Sequence, residues 1–470
     1  MSDLSDYIRS RMGMSFPPER WEELEQKISR AATTYGFPDA ASCVGWILSS
    51  GTDSRRLEVL AGALTVGETF FFRENAGLRA LREQAFPATV MAHAGRDRRI
   101  RIWCAGCCTG EEPYSVAMTA SESPVLWGWE VSVLATDINE AFLSKAEAGI
   151  YGEWSFRGVE PATREKFFRR RDGSTFEVLP RIRKMVSFAH VNLIDASYPS
   201  LFNNTNAVDI VLCRNVLMYF TPDHARMVLD KLGRSLVPGG WLLVSPVEAS
   251  LVDRSTFEPL SHYGALSKKK PPAQRTSEPT MRAPASHPRR HPPVREPLQP
   301  VVSYPLAKER YAAADYDGAI EILAKLAAKP MTEPSVLELL ARACANTGRL
   351  SEAEAWCGRA IAAEKTWAAG YYLMALIRIE QQRPREAISD LHRALYLDPD
   401  LVVAHFTLAV VCRRENRTRE AARHLRNALL VLGDLGPKEV LPESEGMTAG
   451  KMIELIQASS KEKENGPGRD

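Results

Sequence analysis

Trp21, Leu24, Ile28 and Ala31 recur at three- and four-residue steps, the spacing that gathers apolar side chains on one face of a helix. Ala41–Leu48 and Leu57–Leu64 continue the pattern, so residues 1–90 are predicted to form an α-helical domain. Beyond residue 98 the period shortens. Ile100 and Ile102 alternate with polar positions. Trp129–Asp137, Val186–Leu193, Ala207–Cys213 and Trp241–Ser245 likewise read as strands, Ala207–Cys213 as a fully buried one. Helices are expected between them, at Tyr114–Ser121 and from the cap Thr221-Pro222-Asp223 to about Leu236. Strand and helix alternate as far as about residue 267, which predicts one doubly wound α/β domain over 91–267.

Residues 268–300 are rich in proline and basic residues and nearly free of large apolar ones. Such a segment buries too little surface to offset its ordering entropy and reads as a linker. A repeat follows it over 301–435. Ala307, Ala341, Ala375 and Ala409 stand thirty-four residues apart, as do Ala319, Ala353, Ala387 and Ala421. Small residues at fixed positions suit closely packed helix pairs, and this period is that of the tetratricopeptide repeat, here about four units in an all-α solenoid. The tail, 436–470, carries one short amphipathic helix at Met447–Ala458 and a charged end. The linker makes the repeats a separate body, expected to hold a further signalling protein and not to be needed for chemistry.

The candidate chemistry lies where the first strand ends. Gly106-Cys107-Cys108-Thr109-Gly110 forms a glycine-bearing loop, followed by Glu111, Glu112 and Pro113 at a helix start. Strand, tight loop and helix N-terminus bring backbone close to a nucleotide-like ligand. No Gly-Lys-Ser/Thr closes the loop, and the full G-x-G-x-x-G spacing is missing. Carboxylates at this mouth would repel phosphate but suit a ligand carrying an ammonium and hydroxyls, as S-adenosylmethionine does. Asp137, ending the second strand, stands where an acid accepts from ribose hydroxyls. Arg73, directly after Phe70-Phe71-Phe72, reads as a guanidinium beside an apolar plug, placed to pair with a carboxylate. The basic, aromatic stretch Tyr151–Lys184 reads as a solvated face or a patch for an acidic partner.

Composition narrows the classes. A net charge of +2 over 470 residues argues against a nucleic-acid binder. No apolar run approaches a membrane span, and MSDLSDYIRSR lacks a signal-peptide core, so no membrane insertion is expected. Eight scattered cysteines fit a reduced, cytoplasmic protein. Cys104-x-x-Cys107-Cys108 invites a zinc or redox reading, but no second Cys/His pair stands nearby at ligand spacing, so no metal is expected.

GETFFFRE, WCAGCCTGEEPYS, LATDI, VNL and CRNVLMYF, in this order and spacing, resemble the CheR family of chemotaxis-receptor protein-glutamate O-methyltransferases. The resemblance covers residues 1–267 and extends to members with C-terminal tetratricopeptide repeats. It implies a Rossmann-like methyltransferase domain behind a small helical one. It further implies that Thr69, Arg73, Glu112, Asp137, Asn192, Leu193, Arg214 and Asn215, with Gly106 and Gly110 of the loop, bind S-adenosylmethionine. Arg73 and Tyr219 would stand nearest the chemistry, and the substrate would be a chemoreceptor cytoplasmic domain. Gly67 replaces the family's usual Asn, and Pro246-Val247-Glu248 its His-Ser-Glu. Segment 151–190 corresponds to a small β-subdomain that holds a receptor peptide in some members. Two other classes are a methyltransferase for another substrate and a non-catalytic scaffold. Against an amino-methylating DNA enzyme, Arg214-Asn215-Val216-Leu217 stands where that class has Asn-Pro-Pro-aromatic.

Overall fold

The computed structural model describes residues 1–49, 54–94, 98–195, 198–260, 266–270, 303–312, 315–328, 332–444 and 446–461. Ten strands are described: β1 (Arg99–Ala105), β2 (Glu130–Asp137), β3 (Ile150–Gly152), β4 (Phe168–Arg170), β5 (Thr175–Val178), β6 (Val186–His190), β7 (Val208–Cys213), β8 (Leu236–Val244), β9 (Phe257–Pro259) and β10 (Leu266–Lys269). Seven of them form one sheet in the order β6-β2-β1-β7-β8-β10-β9. The first five are mutually parallel, and β10 runs antiparallel to β8.

Alternation along the central strands builds two cores. Ile100, Ile102 and Cys104 of β1 and Ile210 and Leu212 of β7 face the helices Glu111–Ser121 and Asn75–Ala80. Trp103, Ala105, Val211 and Cys213 face Ala225, Val228, Leu229 and Leu232 of the helix Pro222–Ser235. Both faces are thus covered, as a parallel sheet requires. The expected doubly wound domain is present, but its edge differs from expectation. Lys268 and Lys269, assigned above to the linker, pair with Trp241 and Phe257 as part of β10. A lysine run can occupy a strand because the stem covers apolar surface while the amine reaches a polar group; Lys268 lies over the Trp241 ring and Lys269 Nζ donates to Leu236 O. The linker from 271 to 302 lies outside the described residues.

Four helices, Ser2–Met12, Trp21–Tyr35, Ala40–Leu48 and Ser54–Leu64, bury Leu4, Ile8, Leu24, Ile28, Ile47 and Leu60 in a core of their own. The helical stretch from Asn75 to Ala92 instead packs on the sheet through Leu78, Leu81 and Phe86. Strands β3, β5 and β4 make a separate small sheet. Its core corrects the reading of 151–184 as a surface patch: Tyr151, Phe156, Phe167, Phe168 and Phe176 are buried, and Phe71 is wedged among them. Only Trp154 of the large aromatics there is strongly exposed.

Eight helices between Tyr304 and Gly433 pair into four units, and the repeated alanines are buried where each pair meets. The repeats do not stand apart as a separate body. Leu201 of the α/β domain is buried in the repeat core, Phe202 packs on Phe406, and Glu380 meets Arg101 at 3.1 Å. Composition marks a linker but carries no information about whether the bodies it joins touch. The last helix, Ala449–Lys461, folds back on the solenoid through Met452 and Ile456.

Phe71→Ala should leave a cavity in the aromatic cluster and lower the stability of the α/β domain by about 3–5 kcal/mol. Denaturant unfolding read by near-ultraviolet circular dichroism checks this; a loss below about 1 kcal/mol would show that the cluster is not a core.

Candidate active site

The strand order reverses direction between β1 and β7, and there the carboxyl ends of the strands open a crevice. A cavity of about 460 Å³ occupies it, closed on the far side by the N-terminal helical bundle. Thr69, Arg73, Gly106, Glu112, Asp137, Asn192, Leu193, Arg214, Asn215 and Tyr219 all line it. Gly110 does not. It caps the following helix at φ 93°, and a side chain there would meet Ala146 Cβ at 2.7 Å and the Tyr151 hydroxyl at 2.8 Å. That glycine is needed for close packing under the loop and not for ligand contact.

The loop is pinned by the neighbouring strand. Gly106 N and Cys107 N both donate to Thr136 O, and Cys108 N donates to Asp137 Oδ2 at 2.8 Å. Asn139 N donates to Asp137 Oδ1 at 2.9 Å. Both carboxylate oxygens of Asp137 therefore hold backbone, and each keeps a further lone pair for a ligand. Burial nevertheless outweighs these bonds and pushes the Asp137 carboxyl above the ordinary range. Gly106, at φ 83°, touches Val216: a Cβ would sit 2.4 Å from its Cγ2. Only glycine lets the loop after β1 and the loop after β7 approach this closely. The thiols of Cys104 and Cys107 are pushed well up by burial, and that of Cys108 to about 12, so none is a ready thiolate.

Arg214 is the buried centre of the opposite wall. Its Nη1 donates to Glu112 Oε2 and its Nη2 to Glu74 Oε2 and Arg73 O, each at 2.9 Å. Burial alone would lower the guanidinium's pKa, but the two carboxylates outweigh it and raise it. Glu112 is pushed up by burial, partly offset by Arg214. The carboxylate pairing expected of Arg73 is thus made by Arg214. Arg73 lines the cavity with Nη1 donating to Glu68 O, so its guanidinium is held at the mouth by a carbonyl. Phe72, Glu74, Cys108 and Asn215 all have positive φ near 50–60°. Such strain in non-glycine residues concentrates at functional sites.

Glu111, the first of the two loop carboxylates, faces away from the cavity and accepts from Thr109 and Ser155 hydroxyls. Glu248 has a role that sequence reasoning missed. Its carboxylate accepts from the backbone amides of Asn215, Val216, Met218 and Ser245 and from the Ser245 hydroxyl. It fixes the loop that presents Arg214, Asn215 and Tyr219. An acid four residues after the end of a strand is the signal that the sequence offers for it. The apolar floor, with Met12, Met14, Leu64 and Val66 from the helical bundle, was also not anticipated.

The residues present fit S-adenosylmethionine. Three acids, Glu68, Glu112 and Asp137, line the cavity, its buried guanidinium is already engaged by acids, and one wall is apolar enough for an adenine. The family profile described as "CheR methyltransferase, SAM binding domain" matches residues 67–262, and tetratricopeptide profiles match 310–377 and 368–401. A "Chemotaxis protein methyltransferase" of Vibrio parahaemolyticus is 30% identical over 252 residues, covering 53% of this chain and 88% of that one. The chain belongs to the CheR methyltransferase family. A "Chemotaxis protein methyltransferase 1" of Pseudomonas aeruginosa is 35% identical, over 41% of this chain and 69% of that one. The similarity that reaches into the repeats is to a "Probable biofilm formation methyltransferase WspC" of Pseudomonas putida. That protein is 29% identical over 84% of this chain and 89% of its own length. The family's cofactor, S-adenosylmethionine, is the cofactor here. Among the described residues no helix is long and apolar enough to cross a membrane.

Two outcomes follow for the site. Glu248→Gln places a donor among five donors and should cost on the order of 2–3 kcal/mol in stability, read by chemical unfolding, with weaker S-adenosylhomocysteine binding. Asp137 and Glu112 both line the cavity, and burial shifts both carboxyls upward. Protonation removes charge and acceptor capacity, so affinity should fall with falling pH before the ordinary carboxylate range is reached. Calorimetric titration across pH that stays flat down to that range would contradict the assignment.

Proposed function

We propose that this chain transfers the methyl group of S-adenosylmethionine to glutamate side-chain carboxylates on the cytoplasmic domain of a chemoreceptor, giving methyl esters. The observation that carries the reading is the convergence of Asp137, Glu112, Arg73 and Tyr219 on one cavity. In this reading Asp137 accepts from the ribose hydroxyls, Glu112 faces the cationic end of the ligand, and Thr69, Asn192, Leu193, Arg214 and Asn215 complete the pocket. When bound, the cofactor supplies an electrophilic methyl on a sulfonium. A substrate carboxylate would accept that methyl, an O–CH₃ bond replacing the S–CH₃ bond whose electron pair would stay with sulfur.

Glutamate with a pKa near 4.3 is already ionised at neutral pH, so no general base is required. The work left to the protein is orientation and desolvation. Arg73, at the mouth, draws the incoming carboxylate, and the Tyr219 hydroxyl orients it. Exposed apolar side chains at the rim support a macromolecular substrate: Val66, Met218 and Val247 all line the cavity and remain 47%, 55% and 68% exposed.

Incubation with labelled S-adenosylmethionine and receptor cytoplasmic domains should label a receptor in alkali-labile form. Base-stable label, or no transfer to any receptor, would count against ester formation. Asp137→Ala should stay folded and lose about 2–3 kcal/mol of S-adenosylhomocysteine affinity by calorimetry. Arg73→Ala should keep that affinity more nearly and lose methylation rate instead.

A further inference from the structure

The repeats pack against a segment of the same chain. Ser200–Asn206 is closed on itself, with Thr205 N donating to Ser200 O and Ser200 N to Thr205 Oγ1, both at 3.1 Å. Leu201, 1% exposed, is counted within the repeat core, and the Phe202 ring lies 5.5 Å from that of Phe406. Asn206 Nδ2 donates to Ala345 O. Beside this segment, Glu380 of the repeats sits at 2% exposure against Arg101, which also donates to Asn204 O. The repeats are thus joined to this segment by apolar contact and a side-chain-to-backbone hydrogen bond, and to the neighbouring strand β1 by a buried ion pair.

Tyr198, just before that segment, reaches the cavity wall. Tyr198 Oη donates to Leu193 O at 2.6 Å, and Asn192 and Leu193 line the cavity. On the other flank Lys451, from the helix that folds back on the solenoid, meets Asp195 at 3.1 Å. The wall residues Val191, Asn192 and Leu193, with Ile194 and Asp195 after them, follow β6, the outermost strand at its side of the sheet, and among the described residues no further strand supports them. Within its own domain Lys231 also holds it, through Ile194 O and Asp195 O. Repeat-side and domain-side groups therefore share one cavity wall.

We propose that the repeats are a positioning element of the cofactor site: by gripping Ser200–Asn206 and Asp195 they hold the Val191–Asp195 wall in its binding geometry. Cofactor binding and repeat docking then favour each other by the same factor. A partner that displaced Ser200–Asn206 from the repeats would loosen cofactor binding by that factor. The inference rests on the cavity being the cofactor site.

The test uses the full chain with a protease site introduced between residues 271 and 302. Wild-type halves should stay together on gel filtration after cutting and bind S-adenosylhomocysteine as the uncut chain does. Phe406→Asp combined with Glu380→Lys sets a charge against Phe202 and a like charge against Arg101, entirely from the repeat side. Its cut halves should separate, and the affinity of the methyltransferase half should fall at least about fivefold with stoichiometry near one. Phe406→Leu should keep wild-type behaviour. A variant whose repeats did not fold would still leave that half undocked, so the affinity reading stands. The proposal is overturned if wild-type halves part on cutting. It is equally overturned if the separated variant half keeps wild-type affinity, or loses stoichiometry at unchanged affinity, which marks a purely stabilising contact. A wild-type chain that does not bind S-adenosylhomocysteine would refute the site itself, a result separate from either.

Discussion

One buried guanidinium ties the candidate site together. Arg214, at the end of β7, reaches Glu112 on the helix after the loop, and Glu74 and the Arg73 carbonyl on the stretch that leaves the helical bundle. Three segments distant in sequence meet on that one side chain. Breaking such a cluster from one end strands a charge in a low dielectric, at a cost of several kcal/mol. The geometry is therefore all-or-none: with Arg214 in place, Arg73 is at the cavity mouth and Glu112 is on its wall. Glu248 does the same for the backbone of the loop itself, gathering amides that would otherwise point at one another.

The sheet supplies the rest of the constraint. Parallel strands deliver Gly106, Asp137, Asn192 and Arg214 to one edge because each loop leaves a carboxyl end. The bundle closes the crevice through the segment after its first helix: Thr221 N donates to Gly13 O and Ser15 N to Tyr219 O. Gly13 is forced there, since a side chain would lie 2.7 Å from Ile194 Cγ2. A small α-helical domain thus becomes a wall of the cavity, bringing Met12 and Met14 to the ligand side.

Much of this was legible in the sequence, for physical reasons. Period-two alternation and the Gly106 loop are local, so the strand order of events and the position of Asp137 could be read directly. The thirty-four-residue step of alanines reports close helix packing, which is equally local. What stayed hidden depends on three-dimensional partners. Arg73 looked able to meet a carboxylate, and only folding shows that Glu74 and Glu112 converge instead on Arg214. Gly110 and Gly106 are indistinguishable in sequence, yet only one borders the cavity. The aromatics of 151–184 read as a surface because their basic neighbours are exposed, whereas the rings turn inward around Phe71. The docking of the repeats depends on Leu201, Phe202 and Glu380, which carry no periodic signal.

The central claim is that the crevice between the helical bundle and the sheet is the cofactor site, with Asp137 on the ribose. A crystal structure of the chain with S-adenosylhomocysteine tests it most directly. Both ribose hydroxyls should lie within hydrogen-bonding distance of Asp137, the sulfur on the side of Arg73 and Tyr219, and Arg214 should still be engaged by Glu112 and Glu74. A ligand bound elsewhere, or lying in the crevice with its ribose away from Asp137, would contradict it.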